Sequence, residues 1–172
     1  MSPDDPPADT LVLQAHPLEA SYSAALRDRT LLALKDSGAP HRSYRLADGE
    51  RPTSDELEAA RRLILVYPTW SGGLPASLLA WAHEVLDQPR ALESVRELIV
   101  VTSCGSSRWV NLVQGEWGRD LLKTRILPRC APGARFRWLA LYKVDRRSRE
   151  EMAHHLDRVE RSIRAWTADP PG

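Results

Sequence analysis

Two uninterrupted apolar runs constrain the fold of this chain more than any other feature. Leu63-Ile-Leu-Val66 lies within a predicted strand, Arg62–Tyr67, and a second predicted strand covers Leu98–Thr102. Strands that are apolar at every position, rather than at alternate positions, are typical of a parallel sheet whose two faces are both covered. The sequence therefore favours an α/β fold with helices on both sides of the sheet.

Further predicted strands and helices complete a regular alternation. The other strands are Leu11–Ala15, His41–Leu46 and Phe136–Tyr142. Helices are predicted after Ser21, after the capping box Thr53–Glu56, after Pro75, near Gly115–Ile126 and after the capping box Ser148–Glu151. Five strand–helix units fit a three-layer sandwich around a five-stranded parallel sheet of order 2-1-3-4-5.

The composition is that of one domain with a sizeable core. The chain has 172 residues, of which 42% are hydrophobic, and its 24 Lys and Arg nearly balance its 23 Asp and Glu. This balance argues against nucleic-acid binding, and no apolar stretch approaches the roughly 20 residues of a membrane span. We expect a disordered lead at 1–9, the domain at 10–167 and a tail at 168–172.

Location and metal content can also be predicted. The acidic, proline-rich start lacks the features of a signal peptide, so we expect a cytoplasmic chain. Cys104 and Cys130 are too few for a disulfide framework or a four-cysteine zinc site. We expect His154 and His155 to lie on a solvated helix face and to bind no metal.

The segment Pro68-Thr-Trp-Ser-Gly-Gly-Leu-Pro-Ala76 follows the third strand. In open α/β sheets, ligands bind outside the carboxyl ends of the strands. Gly72 and Gly73 permit close approach of backbone to a ligand, and Trp70 offers a flat face. The alternative is a plain connector with a core tryptophan.

The loops after the first and fourth strands end in the same crevice. His16, Ser21 and Ser23 precede or open a helix, whose N-terminus can bind phosphate. The alternatives are an ordinary N-cap at Ser21 and a structural histidine at His16. After the fourth strand, Thr102-Ser-Cys-Gly105 is rich in small donors that would line a ring edge, and Cys104 has no neighbour that would make it a nucleophile.

Three motifs occur together and in order. They are His16-Pro17 followed by Ser21-Tyr-Ser23, the segment Tyr67–Ala76, and Gly115-Glu-Trp-Gly-Arg119. In combination they resemble the flavodoxin-like NAD(P)H:quinone oxidoreductase family over roughly residues 11–142.

The resemblance implies a flavodoxin-like fold and a flavin cofactor, with FMN favoured over FAD because Ala47–Ala60 leaves little material for adenine contacts. It implies a homodimer in which NAD(P)H reduces the flavin and a quinone-like acceptor then takes both electrons, in a ping-pong reaction. The residues that match the family's flavin-binding positions fall in three loops: His16, Ser21, Tyr22 and Ser23; Pro68, Thr69, Trp70, Ser71, Gly72 and Gly73; and Thr102, Ser103, Cys104 and Gly105.

This chain departs from the family where charge on the reduced flavin is handled. Trp109 and Trp117 stand where animal-type members carry a tyrosine and a histidine, and an indole cannot exchange a proton at neutral pH. Ser71 stands where an aromatic residue is common. We predict Trp70, Trp109 and Asn111 as pocket walls, and we assign no catalytic acid or base.

Two alternatives follow from these departures. One is a flavodoxin-like electron carrier without its own NAD(P)H reaction, although the hydroxyl-rich phosphate loop of such carriers is absent here. The other is a flavin-binding regulatory subunit that has lost turnover.

Overall fold

A computed structural model describes residues 8–70, 72–107 and 116–168. The predicted lead and tail lie largely outside these residues, at 1–7 and 169–172. The strands are β1 (Thr10–Gln14), β2 (His41–Arg45), β3 (Arg62–Thr69), β4 (Glu97–Cys104) and β5 (Arg135–Tyr142). The helices are α1 (Tyr22–Asp36), α2 (Ser54–Ala59), α3 (Ala76–Leu86), α4 (Trp117–Leu121) and α5 (Arg149–Ala168), and a π-helical turn, Leu122–Ile126, continues α4.

The strands form one parallel sheet of order β2-β1-β3-β4-β5, which confirms the predicted fold class and order. Gln14, the last residue of β1, lies opposite Val66, whereas β3 and β4 continue side by side until Thr69 pairs with Cys104. The carboxyl ends of β3 and β4 therefore project three residues beyond that of β1 and form one wall of the crevice.

Each face of the sheet has its own apolar core, as the uninterrupted runs predict. On one face, Leu63, Leu65 and Tyr67 pack with α3 through Leu78 and Trp81. The other face joins alternate strand residues to α1 and α5; its members include Val12, Ile64, Val66, Ile99, Val101, Leu26, Val159 and Ile163. Burial of both faces fixes the register of the central strands and hence the positions of the loops that follow them.

Three of the predicted helix starts are confirmed. Ser21 is the N-cap of α1, and its hydroxyl accepts a hydrogen bond from the N–H of Ala24 (3.1 Å). Thr53 and Glu56 form a reciprocal capping box at α2. At α5, Ser148 and Glu151 exchange the same pair of bonds. These caps satisfy N–H groups that a helix cannot bond internally.

A charged cluster closes the sheet at its amino-terminal end. Glu97 on β4 is fully buried and pairs with Arg62 (2.8 Å), Arg135 (3.2 Å) and Arg137 (3.1 Å). Arg62 is itself 3% exposed and donates to the carbonyl of Trp166 near the end of α5. One carboxylate therefore ties three strands and the last helix together.

β5 forms an open edge of the sheet, and two arginines bond to its backbone there. Arg158 donates to the carbonyl of Ala140 (3.1 Å), and Arg147 donates to that of Tyr142 (3.1 Å). In a parallel strand, residues of one parity direct their N–H and C=O groups to the same side. The N–H of Arg135, an odd-numbered position, donates to the carbonyl of Arg96 just before β4 (2.8 Å), so the carbonyls of Ala140 and Tyr142 belong to the side of β5 that faces away from β4.

The histidine prediction on the last helix is half wrong. His154 is exposed, but His155 is buried against Tyr22, with ring centroids 6.4 Å apart. Burial, assisted by the nearby Arg158, lowers the pKa of His155 to about 4. The sequence around His155 does not predict this contact, because Tyr22 belongs to α1, which lies far away in sequence. Within the described ranges, no cluster of His, Cys, Asp or Glu is arranged to hold a metal ion.

None of the described helices is both long and apolar enough to cross a membrane.

Candidate functional site

His16 lies just beyond β1, next to Trp70 of the β3 loop. His16 is 9% exposed, and the two ring centroids are 5.9 Å apart. Its Nδ1 lies 3.1 Å from the backbone N of Leu18 and 3.3 Å from the carbonyl oxygen of Leu18, so Nδ1 accepts from the first or donates to the second according to the tautomer. His16 therefore has a structural role at Nδ1, which leaves Nε2 for another partner.

The N-terminus of α1 has free donors but fewer hydroxyls than the sequence suggests. Ser21 uses its hydroxyl internally, donating to the carbonyl of Leu18 (2.9 Å) while capping the helix. Tyr22 donates its hydroxyl to the carbonyl of Met152 on α5 (3.1 Å). The Ser23 hydroxyl, by contrast, is buried with no hydrogen-bond partner among the described residues. The first turn, residues 22–25, carries no acidic side chain, so the positive end of the helix dipole is not offset there.

The β3 loop is shorter than predicted because β3 extends through Pro68 and Thr69. β1 ends opposite Val66, so the missing N–H of Pro68 lies past the end of β1, where no strand requires it. The turn itself runs from Trp70 to Gly73 and is closed by the N–H of Gly73, which donates to the carbonyl of Trp70 (2.8 Å). Gly72 has a φ of 75°, a left-handed conformation that favours glycine.

Trp70 is an exposed side chain rather than a core tryptophan. It is 54% exposed, and its ring contacts His16 at the edge of the crevice. Two other large apolar residues are also exposed. Leu18 comes after β1 in the chain, and Trp117 is the first residue of α4, which comes after β4. Of the two readings of the β3 loop, the core-tryptophan connector is therefore wrong.

The hydroxyls at the ends of β3 and β4 are used within the protein. Thr102 donates to the carbonyl of Tyr67 (2.7 Å), and its oxygen lies 2.9 Å from the hydroxyl of Thr69, which must then be the donor of that bond. Ser103 and Cys104 are buried strand residues, because β4 runs to Cys104 and not only to Thr102. Thr69 and Thr102 thus fix the spacing of the strand ends, and any ligand contact there falls mainly to backbone groups.

Gly105 follows β4 and lies under an acidic side chain. A Cβ atom added at Gly105 would be 2.8 Å from Oδ2 of Asp145, which belongs to the turn after β5. That turn is also joined to the β4 loop through the N–H of Lys143, which donates to the carbonyl of Ser106 (3.1 Å). The β5 turn therefore covers the outer side of the β4 loop.

Cys104 should be chemically inert in the native protein. Burial raises the pKa of its thiol to about 11, and burial raises that of Cys130 to about 12. At pH 8 an ordinary thiol of pKa about 8.5 is about a quarter thiolate, so we expect both cysteines to react with a disulfide reagent more than about 100-fold more slowly than free cysteine. Thiol titration at pH 8 tests this, with urea-unfolded protein as the control in which both must react. Rapid reaction of one thiol in folded protein would contradict the assignment.

The first turn of α4 belongs to the site, although the sequence suggested only Trp117 there. A Cβ atom added at Gly73 would lie 2.0 Å from Cζ2 of Trp117, so the indole rests directly on this glycine. The N–H of Gly118 donates to the carbonyl of Gly72 (3.0 Å). Glu116 accepts from Tyr142 (2.9 Å) and from Arg119 (3.0 Å). No sequence periodicity predicts the contacts with Gly72, Gly73 and Tyr142, since these join residues that are far apart in sequence.

A narrow gap, too small for a water molecule, lies beside the Gly72–Gly73 turn and is lined in part by Tyr67, Glu116 and Arg119. The Tyr67 hydroxyl is buried and has no hydrogen-bond partner among the described residues. Burial raises its pKa well above the ordinary value, and Cys104 and Glu116 add to the rise. Tyr67 is therefore a neutral donor.

Three predicted site residues lie outside the described residues: Ser71, Trp109 and Asn111. The same holds for Gly115, so the described part of the predicted helix at Gly115–Ile126 is α4 with its π-helical turn. Their roles stay predictions.

The residues present fit a flavin phosphate and one ring face. The buried, unpartnered Ser23 hydroxyl and the uncompensated start of α1 suit a phosphate, and the exposed face of Trp70 suits a flat ring. The indole of Trp117 already covers Gly73, so backbone access at this turn is best at Gly72.

The order of the sheet, the covered faces and the crevice at the strand ends define a doubly wound α/β protein whose crevice lies at the topological switch point. The chain belongs to the flavodoxin-like fold family, whose sequence profile matches residues 8–117. No curated protein matches its sequence.

Solved structures with the same fold share little sequence with this chain. A NAD(P)H:quinone oxidoreductase from Methanothermobacter marburgensis has a TM-score of 0.73 at 18% identity, covering 91% of this chain and 94% of that one. An FMN-dependent NADH-azoreductase from Bacillus anthracis, solved with FMN, has a TM-score of 0.72 at 14% identity, covering 92% and 98%. A flavodoxin from Streptococcus pneumoniae has a TM-score of 0.60 at 14% identity, covering 91% and 98%.

Proposed function

We propose that this protein is a flavin-dependent NAD(P)H oxidoreductase that passes two electrons to a quinone-like acceptor. The observation that carries the proposal is the exposed face of Trp70, which borders the crevice at the ends of β1, β3 and β4. The centroid of its ring lies 5.9 Å from the centroid of the His16 ring. An exposed indole beside an uncompensated helix N-terminus provides a surface for a ring and a site for a phosphate in one ligand.

The phosphate end of the cofactor would be held at the start of α1. The candidate donors are the free N–H groups of Tyr22 and Ser23, the Ser23 hydroxyl and, in the tautomer with its hydrogen on Nε2, the ring of His16. Ser21 acts indirectly by fixing the first turn as the N-cap, and the Tyr22 side chain ties that turn to α5. We favour FMN over FAD because residues 46–59, between β2 and β3, hold only a 3-10 turn and α2.

The ring end would lie along Trp70, Gly72 and the backbone of Thr102–Gly105, with Pro68 and Thr69 shaping the strand end behind the turn. When bound, the flavin supplies the hydride chemistry, and the protein supplies position and electrostatics. Backbone N–H groups of the turn and of the β4 loop would face the ring edge where negative charge develops. Ser71, Trp109 and Asn111 complete this part of the proposal on sequence grounds.

Three side chains near the turn are unsuited to move a proton at neutral pH. Trp117 is a donor only, burial raises the pKa of the Cys104 thiol to about 11, and the pKa of Tyr67 lies well above its ordinary value because of burial. We assign no catalytic acid or base, and we propose binding, orientation and exclusion of water as the protein's contribution. A ping-pong order, in which nicotinamide leaves before the acceptor enters the same pocket, suits a site of this kind.

The similar oxidoreductase and azoreductase structures support this function, and their TM-scores exceed that of the flavodoxin. We also propose a homodimer, with the exposed apolar residues Leu18, Trp70 and Trp117 near the subunit contact.

The direct test of the proposed function is the visible spectrum. Purified protein loaded with FMN should be yellow, bleach with NADH or NADPH and regain colour with a quinone. Colourless protein that takes up no added flavin would overturn the proposal.

Replacing Trp70 with alanine should weaken FMN binding on the order of tenfold, because the stacking face is lost. Trp70→Phe keeps a flat ring and should retain most of the affinity. Leu32→Ala, which removes an exposed apolar side chain of α1, is the control and should leave the affinity for FMN unchanged. Fluorescence titration of FMN measures all three. Wild-type affinity in Trp70→Ala would show that this ring does not hold the flavin.

A further inference from the structure

The Gly72–Gly73 turn is held from one side by the first turn of α4. The N–H of Gly118 donates to the carbonyl of Gly72 (3.0 Å), and the indole of Trp117 lies on Gly73. A Cβ atom added at Gly118 would be 3.0 Å from the carbonyl carbon of Gly73, so the two backbones are in close contact. Movement of α4 therefore moves the turn.

A polar network anchors this end of α4 to the edge strand. Glu116 is only 11% exposed, and its two oxygens accept from Tyr142 on β5 (2.9 Å) and from Arg119 (3.0 Å). The indole N–H of Trp138 approaches the Tyr142 hydroxyl (3.4 Å), and the Arg119 guanidinium lies 5.2 Å from the centre of the Trp138 ring. A carboxylate this shielded from water depends on these donors, and losing one leaves the charge poorly satisfied.

We propose that Tyr142, Glu116 and Arg119 act as a latch that holds the first turn of α4 against Gly72–Gly73 and so sets the flavin-ring pocket from the edge of the sheet. The part that concerns flavin rests on the proposed function, whereas the latch itself does not. We assign them as positioning residues, because the contacts described for them are with one another and with Trp138.

The contacts of the turn show what sets its position. A narrow gap beside it, too small for a water molecule, is lined in part by Tyr67, whose buried hydroxyl has no hydrogen-bond partner among the described residues. The closing bond of the turn, from the N–H of Gly73 to the carbonyl of Trp70, fixes its shape. The contacts of Trp117 and Gly118 with the two glycines fix its position against α4.

The opposite edge of the sheet offers a matched control. On β2, Tyr44 donates its hydroxyl to Glu56 (2.6 Å), and Arg42 pairs with the same carboxylate. This triad has the same composition as the latch, but it lies next to α2 rather than next to the Gly72–Gly73 turn. Tyr142→Phe and Tyr44→Phe therefore remove the same hydroxyl from similar networks in two places.

The first test measures amide hydrogen exchange by NMR on the full chain without flavin. In Tyr142→Phe, the Gly73 and Gly118 amides should exchange at least about fivefold faster than in wild type, while core amides such as Val100 keep their rates. In Tyr44→Phe, the two glycine amides should be unchanged. Equal acceleration of the core amides, or no acceleration at Gly73 and Gly118, would overturn the latch.

The second test adds FMN. Glu116→Ala should weaken FMN binding about tenfold and alter the visible circular dichroism of the bound flavin. Glu116→Gln should recover most of the FMN affinity and most of the wild-type circular dichroism, because its amide oxygen still accepts from Tyr142. Wild-type affinity and spectrum in Glu116→Ala would contradict the latch, and if that variant does not fold, Tyr142→Phe gives the decision. If wild-type protein takes up no FMN, the proposed function fails, and the exchange experiment still decides on the latch.

Discussion

Glu97→Ala should lower the free energy of unfolding by about 3–5 kcal/mol, because it removes the only carboxylate seen to pair with Arg62 among the described residues. Arg62 is 3% exposed, so its guanidinium would remain buried without a counter-charge. Arg135 and Arg137 would lose the same partner. Urea denaturation followed by circular dichroism measures the change.

Glu93→Ala is the control for this prediction. Glu93 forms an exposed pair with Arg90, and we expect its loss to change the free energy of unfolding by less than about 0.5 kcal/mol. Glu97→Gln should fall between the two variants, because it keeps the oxygen acceptor and loses the charge. If Glu97→Ala lowers the free energy of unfolding by less than about 1 kcal/mol, the charged cluster does not stabilise the fold as expected.

Gly73→Ala should cost about 1–3 kcal/mol of stability and also weaken FMN binding, because the new methyl group overlaps the indole of Trp117. The indole is rigid, so it must leave its position on the turn. In a Trp117→Ala background the same substitution should cost less than about 0.5 kcal/mol, because the overlap is gone. Urea denaturation of the four proteins of this double-mutant cycle measures the coupling.

Gly49→Ala serves as the matched glycine control. Gly49 has a φ of 84° and no atom within 4 Å of an added Cβ, so its substitution introduces backbone strain without a clash. We expect a loss of about 1–2 kcal/mol that Trp117→Ala does not relieve, and no change in FMN affinity. Equal costs for Gly73→Ala with and without Trp117 would refute the steric explanation.

Local patterns were sufficient to predict the framework of the fold. The uninterrupted runs at Leu63–Val66 and Leu98–Thr102 predicted covered parallel strands, and Ser21 with the two capping boxes predicted helix starts that the structure confirms. Such signals succeed because each depends on residues close together in the chain. Strand ends were less well predicted, since β3 and β4 continue through Thr69 and Cys104.

The site was only partly predictable, because its contacts depend on distant residues. Ser21, Tyr22, Thr69 and Thr102 match flavin-binding positions of the family, but hydrogen bonds within the protein use all four hydroxyls. Nothing in the sequence indicated that Glu116 would meet Tyr142, which lies 26 residues further along the chain. Motifs identify which loops form the crevice, whereas side-chain partners across the fold decide which donors remain free.

The two arginines on the outer side of β5 also affect how the protein behaves at high concentration. An exposed strand edge is a template on which another chain can add by backbone pairing, which leads to aggregation. Because Arg158 and Arg147 already bond to the carbonyls of Ala140 and Tyr142, an incoming strand must first displace two charged side chains. The protein thereby protects its sheet from growth at this edge without covering the crevice.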